Sequence, residues 1–250
     1  MIGETAPGRR LIEVSGTERL EFLQGLVTND VGQLRDGLVY AALLTPQGKY
    51  LADFFLVRHG DAILLDADAS QADALSRRLM MYRLRADVNI GPSPLQVRRG
   101  LGVAPKGAFA DPRHPALGWR AYGPETGDAP SIDWDAIRVE HTIPESGIEL
   151  IPDETYILEV GFERLHGVDF RKGCYVGQEV TARMKHKTEL RKGLVTVGVE
   201  GAAPAGTEIR AGDKPAGTLY TQAAGKGIAY LRFDRMGTDM RAAGARIVAP

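Results

Sequence analysis

Over its first 90 residues the chain shows two hydrophobic patterns, one typical of strands and one typical of helices. Apolar runs at 39–44 and 50–58 flank Thr45-Pro46-Gln47-Gly48, whose proline and glycine positions favour a type I turn and therefore a hairpin. Apolar residues recur at helical spacing at 20–27 and again at 72–82. The pattern predicts a mixed sheet with two helices, an α+β layer.

Beyond residue 193 the pattern changes to short apolar runs separated by glycine, proline and aspartate. These runs recur at near-even spacing, which is typical of a small antiparallel barrel. The segment Gly91-Pro92-Ser93-Pro94 indicates a boundary further upstream. The sequence therefore predicts an N-terminal α+β domain at 1–92, a central domain at 93–192 and a C-terminal β-barrel at 193–250.

Composition narrows the class of protein. Lys and Arg number 31 against 32 Asp and Glu, so bulk charge does not favour a nucleic-acid partner. One cysteine excludes an internal disulfide framework and a Cys₄ metal site, and we expect no bound metal. Residues 1–10 lack a signal-peptide core, and no apolar run reaches the length of a membrane span. With the lone cysteine, these features favour a cytoplasmic protein without a membrane partner.

The cysteine lies in a distinctive segment. Cys174 stands between Gly173 and Gly177 and follows Arg171 and Lys172. Good helix formers come after Gly177, so we expect a loop and then a helix, with the thiol just ahead of the helix N-terminus. The helix dipole and the two cations favour thiolate there. The alternative is that Cys174 is a buried small hydrophobe, as free cysteines usually are.

The same segment carries a resemblance. Lys172-Gly173-Cys174-Tyr175-Val176-Gly177-Gln178-Glu179 resembles the K-G-C-Y-x-G-Q-E signature of the YgfZ family, folate-binding proteins related to the glycine-cleavage T-protein, GcvT. The runs at 22–31, 46–49 and 138–140 are similar to other segments of that family. The resemblance implies a GcvT/YgfZ-like fold, with mixed sheets and helices around a central cleft and a small C-terminal antiparallel β-barrel.

The resemblance also implies a function. It implies a tetrahydrofolate-binding accessory protein for assembly or repair of iron–sulfur clusters, with Cys174 as an accessible reactive thiol. Its partners would be folate, or a one-carbon derivative, and iron–sulfur client or assembly proteins. The alternative is a folate-dependent aminomethyltransferase-like enzyme. T-proteins carry an acidic pair after the hairpin, where this chain reads Ala52-Asp53, and this loss argues against ordinary aminomethyl transfer. Asp53 is then a surviving acid or a solvent-facing strand residue.

A second run, 134–140, is suited to a pterin. A pterin has an edge that a buried carboxylate can bind and flat rings that favour an aromatic face. Glu140 and Trp134 supply these groups, and the resemblance implies that the glutamate of R-[IV]-E serves the pterin. On a strand, Arg138 would face the same side as Glu140. The alternatives are a structural ion pair between Arg138 and Glu140 and a core role for Trp134.

Two further chemistries have weaker signals. A nucleophile pair of Cys174 with His166 or His141 stays open, although no local signature supports it. The anionic glutamate tail of folate would need cations at the rim of its site, and Arg183, Lys185 or Arg171 could provide them. The alternative is that these cations are simply solvated.

Overall fold

The computed structural model describes residues 2–187 and 189–249. Its strands are β1 (Glu4–Thr5), β2 (Arg9–Ser15), β3 (Val39–Leu44), β4 (Tyr50–His59), β5 (Ala62–Asp68), β6 (Asn89–Pro92), β7 (Gln96–Gly100), β8 (Phe109–Ala110), β9 (Trp119–Gly123), β10 (Lys192–Glu200), β11 (Thr207–Ala211), β12 (Lys214–Ala223), β13 (Lys226–Arg232), β14 (Met240–Ala242) and β15 (Ala245–Val248). Its α-helices are α1 (Arg19–Gln24), α2 (Ala72–Arg83), α3 (Trp134–His141) and α4 (Gln178–Lys187). No helix among these described residues is long and apolar enough to cross a membrane.

Two compact units interleave along the sequence. The first consists of Met1–Ile132 and Glu163–Gln178, and the second of Asp133–Phe162 and Glu179–Pro250. The three consecutive domains expected from the sequence divide the chain differently, and they stay a prediction about which segments fold independently.

A five-stranded sheet forms the centre of the first unit, with strand order β3-β4-β5-β2-β6 and antiparallel neighbours. The predicted hairpin between β3 and β4 is confirmed, and the backbone N–H of Gly48 donates to the Thr45 carbonyl at 2.9 Å. One face of this sheet packs against α1 and α2, whose Leu23, Leu75 and Leu79 are buried. Both helices predicted from apolar spacing are therefore present.

The other face of the five-stranded sheet meets a second sheet, with strand order β1-β7-β9-β8. Leu11, Val57 and Leu64 from the first sheet share a buried cluster with Val97 from the second. This inner face is only partly apolar, because a cluster of charged and hydroxyl side chains occupies the rest of it. The consequences of that cluster are described with the candidate site.

The barrel predicted for the C-terminal region is confirmed. Six antiparallel strands close in the order β10-β13-β12-β11-β14-β15. Its interior is filled by side chains that alternate along the strands, including Val197, Ile209, Leu219, Leu231 and Ile247. In the same unit, α3 packs against β10, β12 and β13.

Helix α3 corrects the strand predicted for residues 134–140. The carboxylate of Asp133 accepts a hydrogen bond from the backbone N–H of Ala136 at 2.9 Å, which is an N-cap. Thr142 ends the helix in the left-handed conformation, at φ 52°. The capping aspartate was the sequence signal for a helix, and the strand prediction did not use it.

Candidate functional site

Lys172 anchors the start of the signature loop. It is buried, and its ammonium donates to the carbonyl of Gln24 at 2.8 Å and to that of Val27 at 2.5 Å. Carbonyls at the end of a helix lack partners within the helix, and lysine is suited to bind them. Burial lowers the pKa of Lys172 to about 8, although the carboxylates of Asp30 and Asp169 act to raise it. The lysine of the signature thus holds the loop onto the end of α1.

Gly177 anchors the other end of the loop. Its φ is +84°, a conformation that favours glycine. A Cβ at this position would lie 2.6 Å from the carbonyl oxygen of Thr45 and 3.2 Å from the Cα of Gly48. The loop therefore packs directly on the backbone of the β3–β4 hairpin, and no residue with a side chain fits without movement.

The segment just before the loop is held by residues of the run at 22–31. The hydroxyl of Thr28 donates to the Gly167 carbonyl at 2.6 Å, and the Asn29 side-chain amide donates to the His166 carbonyl at 2.7 Å. The Asp169 N–H donates to the Thr28 carbonyl at 3.1 Å. Three separate sequence motifs therefore meet in the first unit, where they fix residues 166–177.

Between these anchors Cys174 is exposed, which confirms the expected accessibility and excludes the buried packing thiol. A Cβ added to the neighbouring Gly173 would contact nothing within 4 Å, so open space adjoins the loop at Gly173. Tyr175 is buried, and its ring lies 5.1 Å from the Lys172 ammonium. The predicted helix follows, and α4 has Gln178 as its first residue and the exposed Glu179 in its first turn.

The two cations expected beside the thiol are used differently. Lys172 binds backbone carbonyls, as described above, so its charge serves the fold. The side chain of Arg171 is 94% exposed, and its Nε lies 3.8 Å from the Asp169 carboxylate. The hydrogen bonds of Lys172 are directed to the end of α1, and an effect of its charge on the thiol stays a prediction.

A cavity of about 420 Å³ follows the same loop on its N-terminal side. It is lined by Asn29, Gln33, Glu163, His166, Val168, Asp169, Phe170 and Arg171. His166 has φ 54°, a left-handed backbone conformation that is uncommon for a residue with a side chain. The lining mixes donors and acceptors, so the cavity suits a polar ligand.

In the second unit, Arg138 is a buried structural residue. Its guanidinium donates to Glu149 at 3.1 Å and to Thr221 at 3.0 Å, and its Nε lies 2.9 Å from the Glu145 carboxylate. The Glu149 carboxylate also accepts from the Thr221 hydroxyl at 2.6 Å and from the Glu145 N–H at 2.9 Å. This network ties the helix to the barrel strand β12 and leaves Glu149 no accessible surface on its side chain.

Glu140 is not the buried carboxylate that the sequence analysis expected. Its side chain is 55% exposed and lies 2.6 Å from the Lys226 ammonium, whose hydrogen bond and charge lower the pKa of Glu140. On a helix, residues two apart point roughly 200° away from each other, so Glu140 and Arg138 do not share a side. Trp134 is 8% exposed, which fits a core residue.

A pterin site at these positions stays a prediction, and its three candidate residues are used in different ways. Of the three sequence candidates, Glu140 alone presents an accessible acceptor, while Trp134 and Arg138 are used in packing and in the ion network. The signature loop and α3 also fall in different compact units.

The acid that follows the hairpin is buried. Asp53 accepts hydrogen bonds from the hydroxyls of Tyr40 at 2.9 Å and Tyr50 at 2.7 Å, so it is not a solvent-facing strand residue. Strand residues alternate between faces, and Ala52 lies on the opposite face in the apolar core. An acid at position 52 would be surrounded by apolar side chains, and the expected lack of aminomethyl transfer stays a prediction.

A buried ion network lies on the same face of the sheet as Asp53, and sequence reasoning missed it. Arg120 donates to Asp66 at 2.9 Å and to Asp111 at 3.0 Å, and Arg9 donates to Asp66 at 2.6 Å. Burial raises the pKa of Asp111, but Arg113 and Arg120 outweigh this effect and lower it to about 2. The partners are 9 to 57 residues apart, and no local pattern connects them.

The chain has one α+β unit and one unit with a closed barrel, and these two features define its fold class. The fold resembles the crystal structure of glycine cleavage system aminomethyltransferase T from Bartonella henselae, with a TM-score of 0.75 and 16% identity over 97% of this chain and 83% of that one. This likeness confirms the predicted GcvT-like fold. A family model, "CAF17, C-terminal beta-barrel domain", matches residues 191–250.

Sequence relatives define the family. The mouse protein "Iron-sulfur cluster assembly factor IBA57, mitochondrial" is 32% identical over 91% of this chain and 76% of its own length. The human protein of the same name is 31% identical over 92% and 77%. A homologue from Pyricularia oryzae is 30% identical, and the match covers 54% of that longer protein. The chain belongs to the IBA57 family, and the YgfZ assignment stays a resemblance to a related family.

One expectation is overturned by these relatives. All three are named mitochondrial, which contradicts the cytoplasmic location inferred from the sequence. A lone free cysteine indicates only that the fold does not depend on disulfides, so it did not distinguish between reducing compartments.

Proposed function

We propose that this protein is an accessory factor in the assembly or repair of iron–sulfur clusters, that it binds tetrahydrofolate, and that Cys174 is its reactive thiol. The observation that carries the proposal is the exposure of Cys174 on a loop anchored at both ends. Membership of the IBA57 family supports the iron–sulfur role, and the relatives' names support a mitochondrial location.

The thiol has a defined chemical task in this proposal. A cysteine thiolate is a good ligand for iron, and it loses its proton when the metal binds. Clusters usually take four cysteine ligands, whereas this chain has one cysteine. The remaining ligands would therefore come from a client protein, a second subunit or a small thiol, and the cluster is cargo in transit.

Substitution of Cys174 tests the role of the thiol. Cys174→Ser should leave the free energy of unfolding within about 1 kcal/mol of wild type, since an exposed side chain contributes little packing. It should abolish or reduce the maturation of iron–sulfur enzymes in cells that depend on this protein. An exposed arginine outside the loop provides a control, and Arg58→Gln should keep activity. Full activity of Cys174→Ser, or a thiol that resists alkylation in the native state up to pH 9, would refute the thiol's role.

The folate part is supported by the GcvT-like fold and by the signature's resemblance to a folate-binding family. Tetrahydrofolate, when bound, would supply a carrier for one-carbon units. Among the candidate residues, Glu140 can accept hydrogen bonds from the donor edge of a pterin. The pterin would then take the place of the Lys226 ammonium at this carboxylate. Trp134 is too buried to offer its ring face.

Calorimetry on two variants tests Glu140. Glu140→Gln should weaken tetrahydrofolate binding about tenfold, the usual consequence of removing a charged hydrogen-bond acceptor. Lys226→Gln removes the competing cation and should not weaken binding. Equal affinity of Glu140→Gln and wild type would remove Glu140 from the site, while absence of binding to wild type would refute the folate part.

A folate-dependent aminomethyltransferase is the second candidate. It is favoured by Asp53, which is buried and bound by two tyrosine hydroxyls on the polar face of its strand. Both candidates bind folate, so a binding assay does not separate them. A turnover assay with aminomethylated carrier protein does: the accessory-factor proposal expects none, and clear turnover would favour the enzyme.

A further inference from the structure

Helix α2 carries an exposed apolar surface that none of the sites above uses. Met80 is 49% exposed, Met81 69% and Leu84, which follows the last helical residue, 86%. The apolar face that packs the helix on the sheet is a different one and includes the buried Leu75 and Leu79. Two exposed methionines on a helix and an exposed leucine directly after it are more typical of an interaction surface than of a free surface.

Exposed arginines surround these side chains. Arg77 lies four residues before Met81 and three before Met80, so it is adjacent to both on the helix surface. Arg83 and Arg85 flank Leu84. In the described part of the chain, none of the three arginines forms an ion pair, and Asp73 of the same helix is paired with Arg10. We call Arg77, Met80, Met81, Arg83, Leu84 and Arg85 the α2 surface.

Leu84 combines a strained backbone with an exposed apolar side chain. Its φ is 45° and its ψ −106°, a backbone conformation that a glycine adopts far more easily. With 86% of its surface exposed, the side chain has little packing to offset the strain. Strained residues of this kind concentrate at functional sites.

We propose that the α2 surface binds an acidic amphipathic segment of a partner protein. Carboxylates of the segment would face the three arginines, and its aliphatic side chains would cover Met80, Met81 and Leu84. Methionine adapts to irregular partner surfaces, and arginine and methionine are enriched in protein interfaces. The whole chain has a net charge of −1, so the positive charge is local and selects for an acidic partner. This inference requires neither folate nor Cys174.

An anionic membrane would also attract the arginines, but the apolar pattern favours a protein. Helices that lie on a membrane expose an apolar face along their length, often with aromatic residues. The long apolar face of α2 is buried against the sheet, and the exposed apolar set is two methionines and one leucine.

Fluorescence anisotropy with a defined probe tests the proposal on the full chain. The probe is a labelled peptide of about 18 residues, long enough to form a helix, with leucines at helical spacing and glutamates on the flanking positions. Binding should weaken about tenfold in Met81→Ser with Leu84→Ser, and similarly in Arg77→Ser with Arg85→Ser. The matched control, Val103→Ser with Arg58→Ser, changes an exposed apolar residue and an exposed arginine elsewhere and should bind as wild type.

Leu84→Gly separates binding from folding. It relieves the backbone strain, so its melting temperature should equal or exceed that of wild type, and its affinity for the peptide should still fall several-fold. Three results would overturn the proposal: unchanged affinity in the α2 variants, equal binding of a peptide whose leucines are replaced by serine, or α2-dependent binding to phosphatidylglycerol vesicles in place of the peptide.

Discussion

The signature loop, 171–179, and helix α3 both stood out in the sequence, but only the loop formed the predicted structure. In the loop, Gly177 adopts φ +84°, and helix α4 follows as expected. Residues 134–140 were predicted to be a strand and are helical, which moved Glu140 away from Arg138. Glycine at position 177 is enough to predict a turn that needs positive φ. The side on which Glu140 lies depends on whether residues 134–140 form a strand or a helix, and that prediction was wrong.

The two segments also bury a charge in opposite ways. Arg138 is neutralised by direct contact with Glu149 and Glu145, whereas Lys172 is held by two backbone carbonyls. A buried cation with carboxylate partners is costly to unpair, while one with carbonyl partners is costly to keep charged. Three variants test how the two segments are held in place, from the largest expected effect to the smallest.

Glu149→Ala should have the largest effect. It leaves Arg138 buried without its most buried carboxylate partner and removes the acceptor of the Thr221 hydroxyl, so the free energy of unfolding should fall by about 3–5 kcal/mol. The matched control is Glu140→Ala, an exposed glutamate on the helix itself, which should leave the free energy of unfolding close to that of wild type. Urea titration measures both. Similar losses in the two variants would mean that the buried network does not dominate this region.

Gly177→Ala should have an intermediate effect. The added Cβ would lie 2.6 Å from the Thr45 carbonyl oxygen, and alanine is strained at φ +84°. We expect a loss of about 2–3 kcal/mol, as for other substitutions at special backbone positions. Gly173→Ala is the control in the same loop, because its Cβ would contact nothing within 4 Å, and it should cost well under about 1 kcal/mol. Thermal unfolding of the two variants side by side checks the anchor, and equal melting temperatures would contradict it.

Lys172→Met should mainly change how the free energy of unfolding depends on pH. The folded-state pKa of Lys172 is about 8, below its ordinary value of 10.5, so the unfolded chain binds more protons between these two values. Stability from this group should therefore rise as the pH increases from about 8 to 10.5, and the rise should be absent in Lys172→Met. Urea midpoints at pH 7.5 and 9.5, compared between variant and wild type, measure the difference. Parallel pH profiles would show that the ammonium is well solvated in the folded protein.

Several features of this protein could be predicted from the sequence because they depend on neighbouring residues. Proline and glycine in Thr45-Pro46-Gln47-Gly48 specify a turn by their backbone preferences, and evenly spaced short apolar runs specify antiparallel strands. The exposure of Cys174 followed from the flanking glycines. The helix of residues 134–141 could also have been predicted, since Asp133 is a typical capping residue.

The tertiary structure alone decided how the charged side chains are used. Arg9 and Asp66 are 57 residues apart, and Lys172 is 148 residues from Gln24, so each contact exists only after the chain has folded. Asp53 is a further example. The alternation of its strand places its side chain on one face of the sheet, but only packing buries it and brings the tyrosine hydroxyls to it. The sequence determines backbone preferences through residues next to each other. Burial determines which charges are paired, because the free energy of a charge depends on the partners and the solvent that the complete fold leaves to it.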